Sequence, residues 1–354
     1  RYGAIVVETD AEKGAQWARQ LNAVAVVAQT IEEPVAVAGD VRISLSELQA
    51  AWEKTLSRIF PLQSQSADGS AELPLYTTYG PKRSESFGKP RVFIPVCPGT
   101  NCEYDSADAF EAAGAVTDTF IIRNETPQAL EDSIEEMRKR IGQAQIIMFP
   151  GGFSAGDEPE GSGKFIATLF RNPALAEALE SLLYKRDGLV LGVCNGFQAL
   201  IKLGLLPYGH IQPLKADSPT LTYNTIGRHL SRMVDTKVVS VMSPWFSNVR
   251  AGDIHTVAIS HGEGRFVASP EQIRQLAAKG QIATQYVDLN GKATYDSTFN
   301  PNQSVFAVEG ITSPDGRVLG KMAHTERYTG ETMFRNIDGN KVQPIFAAGT
   351  EYFK

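Results

Sequence analysis

The strongest structural signal in this chain is Gly188-Leu-Val-Leu-Gly-Val-Cys-Asn-Gly-Phe-Gln-Ala-Leu-Ile-Lys-Leu203. An apolar run of strand length, 189–193, leads to Cys194 between Gly192 and Gly196, and a helical pattern follows. Small residues on both sides of a nucleophile are typical of a nucleophile elbow, a sharp strand-to-helix turn that exposes the reactive atom. The N-terminus of the helix would stabilise a thiolate there. This context favours a nucleophilic Cys194 over the buried structural role that is ordinary for a lone cysteine.

Strand-like and helix-like segments alternate along the chain from residue 91 onward. The strands are predicted at 91–97, 117–122 and 145–149, and the helices near 104–113, 127–141 and 162–186. This alternation predicts an α/β fold with a doubly wound, mostly parallel sheet, in which catalytic groups lie at the carboxyl ends of the strands. Beyond residue 210 short strands dominate, and Ser313-Pro-Asp-Gly316 predicts a hairpin between strands near 304–309 and 317–324.

Two further regions precede this alternating pattern. Residues 1–61 resemble a small α/β fragment, with a helical pattern at 11–21 and a second helix that starts at a capping box of Ser44 and Glu47. Its strands are predicted at 2–7, 24–29 and 35–38. Residues 62–90 are rich in Ser, Gly, Pro and Gln, which predicts a linker. Because the chain opens without Met on a strand-like segment, we expect it to be the C-terminal piece of a longer protein.

Composition limits the classes of partner. The 354 residues are 42% hydrophobic, enough for two domains with a sizeable core, and the net charge of -6 disfavours nucleic acid as a partner. No apolar run approaches the roughly 20 residues of a membrane helix, so no membrane partner is expected. Three cysteines without C-x-x-C spacing, at 97, 102 and 194, predict a reducing cytoplasmic location.

A thiolate nucleophile needs a base, and the chain contains only five histidines. His324 follows an apolar strand pattern, and Glu326 lies two residues on, so both side chains of an extended segment would point to one face. A carboxylate in that place can orient the imidazole. His261 with Glu263 has the same spacing and is the rival base, although the glycines around it favour a loop that approaches a ligand with its backbone.

The third element is Phe149-Pro-Gly-Gly152-Phe-Ser-Ala-Gly-Asp157, which follows a predicted strand. Adjacent glycines at the carboxyl end of a strand can direct backbone N–H groups at a developing oxyanion, beside the N–H of Asn195. Cys102 in Pro98-Gly-Thr-Asn-Cys102 is a rival thiol. It lacks the strand-turn-helix context, so the start of a helix is the favoured interpretation for it.

Together these motifs resemble the class I (triad) glutamine amidotransferases, and within them the glutaminase domains of the phosphoribosylformylglycinamidine synthases of purine biosynthesis. The matching motifs occur in the family's order: Pro98-Gly-Thr-Asn-Cys-Glu103, Pro150-Gly-Gly-Phe-Ser-Ala-Gly-Asp157, Gly192-Val-Cys-Asn-Gly-Phe-Gln198, Ser260-His-Gly-Glu-Gly-Arg265 and His324-Thr-Glu326. The resemblance covers roughly residues 91–354 and implies a flavodoxin-like sheet. Residues 1–61 resemble the tail of the ATP-binding synthetase part in the large, single-chain form.

The resemblance implies a role for each matching position. The catalytic residues would be Cys194 as nucleophile, His324 as base and Glu326 as the carboxylate that orients it. The oxyanion hole would be formed by backbone amides of Gly152 and Asn195, and the amino-acid end of glutamine would be held by Gln198, Ser260 and His261. The sequence departs from the family at Thr325, where many triads carry Pro, and at Ala155, where Tyr is common.

The implied reaction is hydrolysis of L-glutamine to glutamate and ammonia, within a ligase that forms a C–N bond. The ammonia would serve the synthetase part of the same longer chain, which would use ATP and Mg; no metal or cofactor is expected in this fragment. Two alternatives stay open. Another α/β cysteine hydrolase, of the peptidase or deglycase type, would share the elbow, and a non-catalytic binding module of the same fold would retain it without activity.

Overall fold

A computed structural model of the chain describes residues 3–21, 25–80, 82–83, 86–156, 162–328, 330, 334 and 336–354. These residues form two units, which divide between Leu62 and Gln63. The predicted Asp157 at the end of the glycine motif lies outside the described residues.

The described residues of the first unit form two helices and one hairpin. Its elements are α1 (Ala11–Gln20), β1 (Val35–Ala38), β2 (Val41–Ser44) and α2 (Leu45–Lys54). Strands β1 and β2 pair antiparallel. The predicted capping box is present: the Ser44 hydroxyl accepts from the backbone N–H of Glu47, whose carboxylate accepts from the N–H of Ser44. Local side-chain hydrogen bonds therefore start α2 at the predicted residue.

Two strands predicted in this unit are wrong. Residues 3–7 and 25–29 have no strand structure, and the only sheet described in the unit is the β1–β2 hairpin. A strand depends on a neighbour to hydrogen-bond its backbone, and an apolar β-branched run does not supply that neighbour by itself. Tyr2 and Val24, the first residues of the two predictions, lie outside the described residues.

The second unit carries the alternating elements. They are β3 (Arg91–Val96), α3 (Glu103–Ala112), β4 (Val116–Ile121), α4 (Pro127–Gln143), β5 (Ile146–Phe149), α5 (Lys164–Phe170), α6 (Pro173–Tyr184), β6 (Leu189–Val193), α7 (Asn195–Lys202), α8 (Leu205–Tyr208), β7 (Thr220–Thr222), β8 (Leu230–Val238), β9 (Ile254–His261), β10 (Arg265–Val267), α9 (Pro270–Ala278), β11 (Ile282–Val287), β12 (Val308–Thr312), β13 (Val318–Lys321) and α10 (Ile345–Glu351). Short 3-10 turns lie at Pro244–Phe246, Val305–Ala307 and Thr325–Arg327.

Nine strands of this unit form one mixed sheet in the order β4-β3-β5-β6-β13-β12-β11-β8-β9. The pairs from β4 to β13 are parallel. Numbered along the chain these five strands read 2-1-3-4-5, the flavodoxin-like order, so the predicted α/β fold is confirmed. The remaining pairs are antiparallel.

The core lies around the central parallel strands. Every residue of β5 and β6 is buried, as expected for parallel strands with helices on both faces. Helix α4 buries Ser133, Met137 and Ile141, which recur every four residues and form one helical face. The predicted hairpin at 313–316 is confirmed, since β12 pairs antiparallel with β13. The first of its predicted strands is a 3-10 turn at 305–307 before β12 begins at Val308.

The segment predicted as a linker, 62–90, differs from a free linker. Ala71 and Leu73 are buried, the amide of Gln285 donates to the carbonyl of Ala71 at 2.7 Å, and the Tyr79 hydroxyl donates to the carbonyl of Val249 at 2.7 Å. A few apolar side chains in a polar segment are therefore enough to pack it on the second unit. Residues 81, 84 and 85 lie outside the described part of the chain.

Candidate active site

Cys194 lies in the turn between β6 and α7 with φ 52° and ψ -106°, in a region that side chains other than glycine rarely adopt. The flanking glycines make this turn possible. A Cβ on Gly192 would lie 2.5 Å from Cδ1 of Leu200, and one on Gly196 would lie 2.0 Å from the carbonyl oxygen of Phe149. Neither position has room for a side chain, so the sequence G-x-C-x-G reflects close packing of the helix on the neighbouring strand.

Hydrogen bonds to Lys321 and Ser260 help to hold the cysteine in this turn. Its backbone N–H donates to the carbonyl of Lys321 on β13 at 2.9 Å, and its thiol donates to the carbonyl of Ser260 at 3.6 Å. Cys194 is 5% exposed, so a substrate would meet the sulfur in a site that largely excludes water.

The base and its carboxylate partner lie shortly after β13, which ends at Lys321. The prediction of an extended segment between them is wrong, because Thr325–Arg327 form a 3-10 turn. The N–H at Nδ1 of His324 donates to Oε1 of Glu326 at 2.6 Å, and both side chains are buried. Burial by itself would lower the pKa of His324, but the nearby charges of Glu326 and Cys194 outweigh it and raise this pKa well above its usual value. Burial would likewise raise the pKa of Glu326, yet the imidazolium holds it below the usual range.

The imidazole and the thiol meet beside the glycine motif. A Cβ added to Gly151 would lie 2.7 Å from Cε1 of His324 and 3.5 Å from Cβ of Cys194. Nε2 of His324 has no hydrogen-bond partner among the described residues. With Nδ1 bonded to Glu326, this free nitrogen is the one that remains for a proton transfer with the thiol.

The predicted oxyanion amides lie at the carboxyl ends of adjacent strands. Gly152 follows β5 with φ 145°, and Asn195 is the first residue of α7 after β6. The side-chain carbonyl of Asn195 accepts from the N–H of Ser154 at 3.3 Å, so the elbow is tied to the glycine loop. A bridge between Thr100 and Gly152 fixes the other side of that loop.

Gln198, a predicted substrate-binding residue, belongs to a buried polar network behind the elbow. The Asn195 amide donates to the carbonyl oxygen of Gln198 at 3.1 Å, and the Gln198 amide donates to the backbone carbonyl of Glu263 at 2.7 Å. The Ser260 hydroxyl shares a hydrogen bond of 3.0 Å with Nε2 of His229. The Gln198–Glu263 bond brings the 262–264 turn after β9 to the elbow across 65 residues of sequence, whereas the Ser260–His229 bond is exposed.

The rival base differs from His324 in its partner. Nδ1 of His261 lies 3.2 Å from the side-chain oxygen of Asn224, whereas Glu263 accepts from the N–H of Ser162 at 3.0 Å. Burial lowers the pKa of His261 to about 3, so its imidazole is neutral. The imidazole of His324 is therefore hydrogen-bonded to a carboxylate, as a catalytic base requires, whereas that of His261 is hydrogen-bonded to an amide.

Sequence reasoning missed two features around the triad. The rival thiol Cys102 precedes α3, yet its sulfur lies 3.8 Å from Nδ1 of His324 and accepts a hydrogen bond of 3.3 Å from the Arg327 guanidinium. Lys321, three residues before His324, is fully buried and forms an ion pair with the equally buried Glu309. The only signal for the second was a lysine inside the otherwise apolar 318–323 pattern.

One group of potential metal ligands occurs among the described residues. Cys102, His324 and Glu326 each offer one atom, and these atoms lie within 4.8 Å of one another. The direct hydrogen bond between His324 and Glu326 and the cationic Arg327 on the sulfur identify this group as a hydrogen-bonded network. In the same described part of the chain, no helix is both long and apolar enough to span a membrane.

Comparison with known proteins agrees with this geometry. The model of the CobB/CobQ-like glutamine amidotransferase domain matches residues 89–353. The chain belongs to this amidotransferase family. The match includes the elbow, the glycine loop and the His324–Glu326 pair, so the amidotransferase domain holds every predicted site residue. The first 88 residues lie outside the match.

Several relatives of this amidotransferase bear the same name, phosphoribosylformylglycinamidine synthase subunit PurQ. The protein of Methanococcus maripaludis strain C7 is 35% identical over 67% of this chain and 82% of its own length. That of Aquifex aeolicus is 31% identical over 70% of this chain and 94% of its own length. A solved structure of PurLQS from Thermotoga maritima is 25% identical with a TM-score of 0.54, covering 75% of this chain and all of that one.

Proposed function

We propose that this chain hydrolyses L-glutamine to glutamate and ammonia through a thioester at Cys194. The observation that carries this proposal is the position of Cys194, held at positive φ beside a buried imidazole whose far nitrogen is bonded to a carboxylate. That arrangement supports attack on a carboxamide, and membership of the amidotransferase family identifies the carboxamide as that of glutamine.

In the proposed reaction, the proton of the Cys194 thiol is transferred to Nε2 of His324 before attack, in keeping with the raised pKa of the imidazole. The thiolate sulfur then bonds to the side-chain carbonyl carbon of glutamine. The π electrons move to the oxygen, and backbone N–H groups of Gly152 and Asn195 stabilise the charge that develops there. Collapse of this intermediate breaks the C–N bond, and His324 returns its proton to the leaving nitrogen as ammonia departs. Water, deprotonated by His324, then cleaves the thioester, so one glutamine and one water give one glutamate and one ammonia.

Glu326 keeps His324 in the tautomer that leaves Nε2 for these transfers. Gln198, together with Ser260 and His261 at the end of β9, holds the amino-acid end of the substrate. The polar network between Gln198 and Glu263 supports this role, because it fixes the shape of the loop beside the sulfur. A neutral His261 can take part in substrate binding through hydrogen bonds without adding a charge.

The ammonia serves formation of phosphoribosylformylglycinamidine in purine biosynthesis, as the names of the relatives suggest. We infer that the synthetase part, with its ATP and Mg, belongs to the same longer, cytoplasmic chain and that residues 1–61 are its tail. The exposure of apolar side chains in the first unit supports this: Trp52 is 78% exposed, Ile59 is 72% exposed, and neither α1 nor α2 buries a residue. Such a surface requires a partner to cover it.

The test is glutamate release from glutamine by the purified chain, with peptides and glycated amines as alternative substrates. Alkylation by a glutamine-like chloroketone, followed by mass spectrometry, measures the same site without requiring turnover. Glutamate release together with labelling of Cys194 is expected. Hydrolysis of peptides in preference to glutamine would identify a different α/β cysteine hydrolase, and absence of both activities would identify a binding module.

A further inference from the structure

A fully buried charged pair lies next to the triad and has no part in the reaction described above. Lys321 ends β13 and Glu309 lies on β12, with 3.7 Å between Nζ and Oε1, and both side chains have no exposed surface. Removing two charges from water is costly, and such a pair is stable only when hydrogen bonds satisfy both partners. The surroundings of the pair show where those hydrogen bonds go.

The Lys321 ammonium donates to the two residues on either side of the base. It bonds to the backbone carbonyl of Ala323 at 2.9 Å and to the hydroxyl of Thr325 at 2.8 Å. Glu309 completes the arrangement, because its Oε1 accepts from the backbone N–H of Ala323 at 2.7 Å. The ion pair is therefore hydrogen-bonded to both the carbonyl and the N–H of Ala323, the residue immediately before His324.

The main chain of Lys321 contacts the nucleophile as well. Its carbonyl accepts the N–H of Cys194 at 2.9 Å, and it pairs with Val193 in the parallel register of β6 and β13. One residue is thus hydrogen-bonded to the turn that carries the thiol and to the segment that carries the imidazole.

A glycine on the neighbouring strand leaves space for the Lys321 side chain. Gly310 is the residue opposite Lys321 in the β12–β13 pairing. A Cβ there would lie 2.8 Å from the Thr284 hydroxyl and 3.1 Å from Cβ of Lys321. The Thr284 hydroxyl in turn bonds to Oε2 of Glu309, so both carboxylate oxygens have donors.

We propose that Lys321 is a positioning residue for the glutaminase reaction: its ammonium, held by Glu309, fixes residues 323–326 so that the His324 ring meets Cys194. The inference rests on the proposed function. Lys321 acts through the segment it holds and touches no substrate atom. A displacement of about 1 Å at a catalytic group can lower the rate by roughly 100-fold. Loss of the Lys321 hydrogen bonds is therefore expected to lower kcat.

The charge of Lys321 has a second effect, on Glu326. Burial raises the pKa of Glu326, while His324, its own backbone N–H and the Lys321 ammonium together lower it. Arg327 and Asp105 also face this carboxylate. Without Lys321 the pKa of Glu326 rises, so it takes up a proton at a higher pH and releases the imidazole.

The deciding variant is Lys321→Met, assayed by glutamate release and by the pH dependence of Cys194 alkylation with the chloroketone. We expect kcat to fall by roughly 10- to 100-fold with KM for glutamine nearly unchanged, and the acid limb of the alkylation profile to move to higher pH. A merely structural role would lower the melting temperature and leave the acid limb in place.

Lys321→Met leaves Glu309 buried without its cation, which destabilises the fold. The double variant Lys321→Met/Glu309→Gln removes that unpaired charge, so stability should largely return while kcat and the acid limb stay altered. A folded double variant with wild-type kcat and an unmoved acid limb would overturn the proposal.

Lys237→Met is the matched control. Lys237 is also a nearly buried lysine paired with a carboxylate, 3.0 Å from Oε2 of Glu72, and its ammonium bonds to the carbonyl of Gly291 instead of the triad segment. It should lose stability and keep kcat and the acid limb. Wild-type protein that neither releases glutamate nor alkylates at Cys194 refutes the proposed function itself, whereas active wild type with unaffected Lys321 variants refutes only the role of Lys321.

Discussion

At the scale of single residues, two thiols lie close to one imidazole and the backbone distinguishes them. Cys194 is at φ 52° in the turn before α7, whereas Cys102 precedes α3 at φ -114° and its sulfur accepts from Arg327. The strained turn carries one sulfur at the helix N-terminus beyond a buried strand, the position in which a thiolate nucleophile is stabilised. The other sulfur lies on the Nδ1 side of the ring, which Glu326 already occupies.

The first prediction follows from this difference. Cys194→Ser should abolish glutamate release and chloroketone labelling with the fold intact, because the hydroxyl is a far weaker nucleophile at this site. Cys97→Ala and Cys102→Ala should remain labelled at Cys194, as mass spectrometry of the modified peptide would report. Loss of labelling in Cys102→Ala, with labelling retained in Cys194→Ser, would transfer the nucleophilic role to Cys102.

The second prediction separates the two histidines. His324→Ala should lower turnover by on the order of 1,000-fold or more, since the thiol loses its base. His261→Ala should mainly raise the glutamine KM, because its ring is bonded to Asn224 in the loop beside the elbow. Steady-state kinetics of both variants decide the assignment. Thioester formation lost in His261→Ala and retained in His324→Ala would make His261 with Glu263 the catalytic pair.

The third prediction concerns pH. In the folded protein the pKa of His324 is raised above 6.5. Protonation of His324 therefore adds fully to the free energy of unfolding below pH 6.5, and this contribution is lost as the pH rises through the pKa of the folded state. Glu326 has a folded pKa below 4.5, so its effect is present above pH 4.5 and is lost as pH falls through the folded pKa. Glu326→Gln should therefore lower the pKa of His324 and narrow the pH range over which the His324–Glu326 pair stabilises the fold. NMR titration of the imidazole measures it, and an unchanged His324 pKa would contradict the pairing.

At the scale of elements, the nucleophile and the base come from two neighbouring strands that enter the sheet through different kinds of connection. Strand β6 belongs to a helical crossover and delivers Cys194, while β13 arrives through the β12–β13 hairpin and delivers His324. Parallel pairing of β6 with β13 puts both carboxyl ends at one edge of the sheet. The elbow can form there only because α7 packs at contact distance on β5 and β6.

The fourth prediction tests that contact. Gly196→Ala would put a Cβ 2.0 Å from the carbonyl oxygen of Phe149, so it should abolish activity and lower the denaturant midpoint. Gly142→Ala is the matched control: it lies in α4 with no atom within 4 Å of an added Cβ, and alanine is favoured over glycine in a helix by about 0.5–1 kcal/mol. Equal stability of the two variants would show that α7 can move away from β5.

At the scale of the whole molecule, the chain divides near residue 62, and the polar segment that follows belongs to the second unit. Leu73 is buried there, and the backbone N–H of Tyr76 donates to the carbonyl of Val239 at 2.8 Å. The two helices of the first unit, in contrast, bury no residue. The two regions should therefore differ in what their removal costs.

The fifth prediction compares two truncations. A chain of residues 63–354 should keep the melting temperature of the second unit, whereas 91–354 should be less stable, because burial of a leucine such as Leu73 contributes about 1.5–3 kcal/mol. Thermal unfolding and glutaminase assays of both chains measure this. Equal stability of the two would show that the packed segment behaves as a linker after all.

Local sequence determined a large part of this protein. The G-x-C-x-G motif marks the strand-to-helix turn, apolar runs and helical periodicity mark the α/β elements, and the H-x-E spacing keeps His324 and Glu326 two residues apart. In the structure that spacing forms a 3-10 turn and not the predicted extended segment. These features depend on residues within one or two turns of each other. They could therefore be predicted before any contact between distant residues was known.

Only the tertiary structure decided which distant groups meet. It placed Cys102 beside His324 across 222 residues, buried Lys321 against Glu309, and packed the polar segment around Leu73 on the second unit. It also left the described residues of the strands predicted at 2–7 and 24–29 without strand structure. Each outcome depends on which surfaces remain for packing once the sheet has formed, and a local pattern carries no information about a partner that lies far away along the chain.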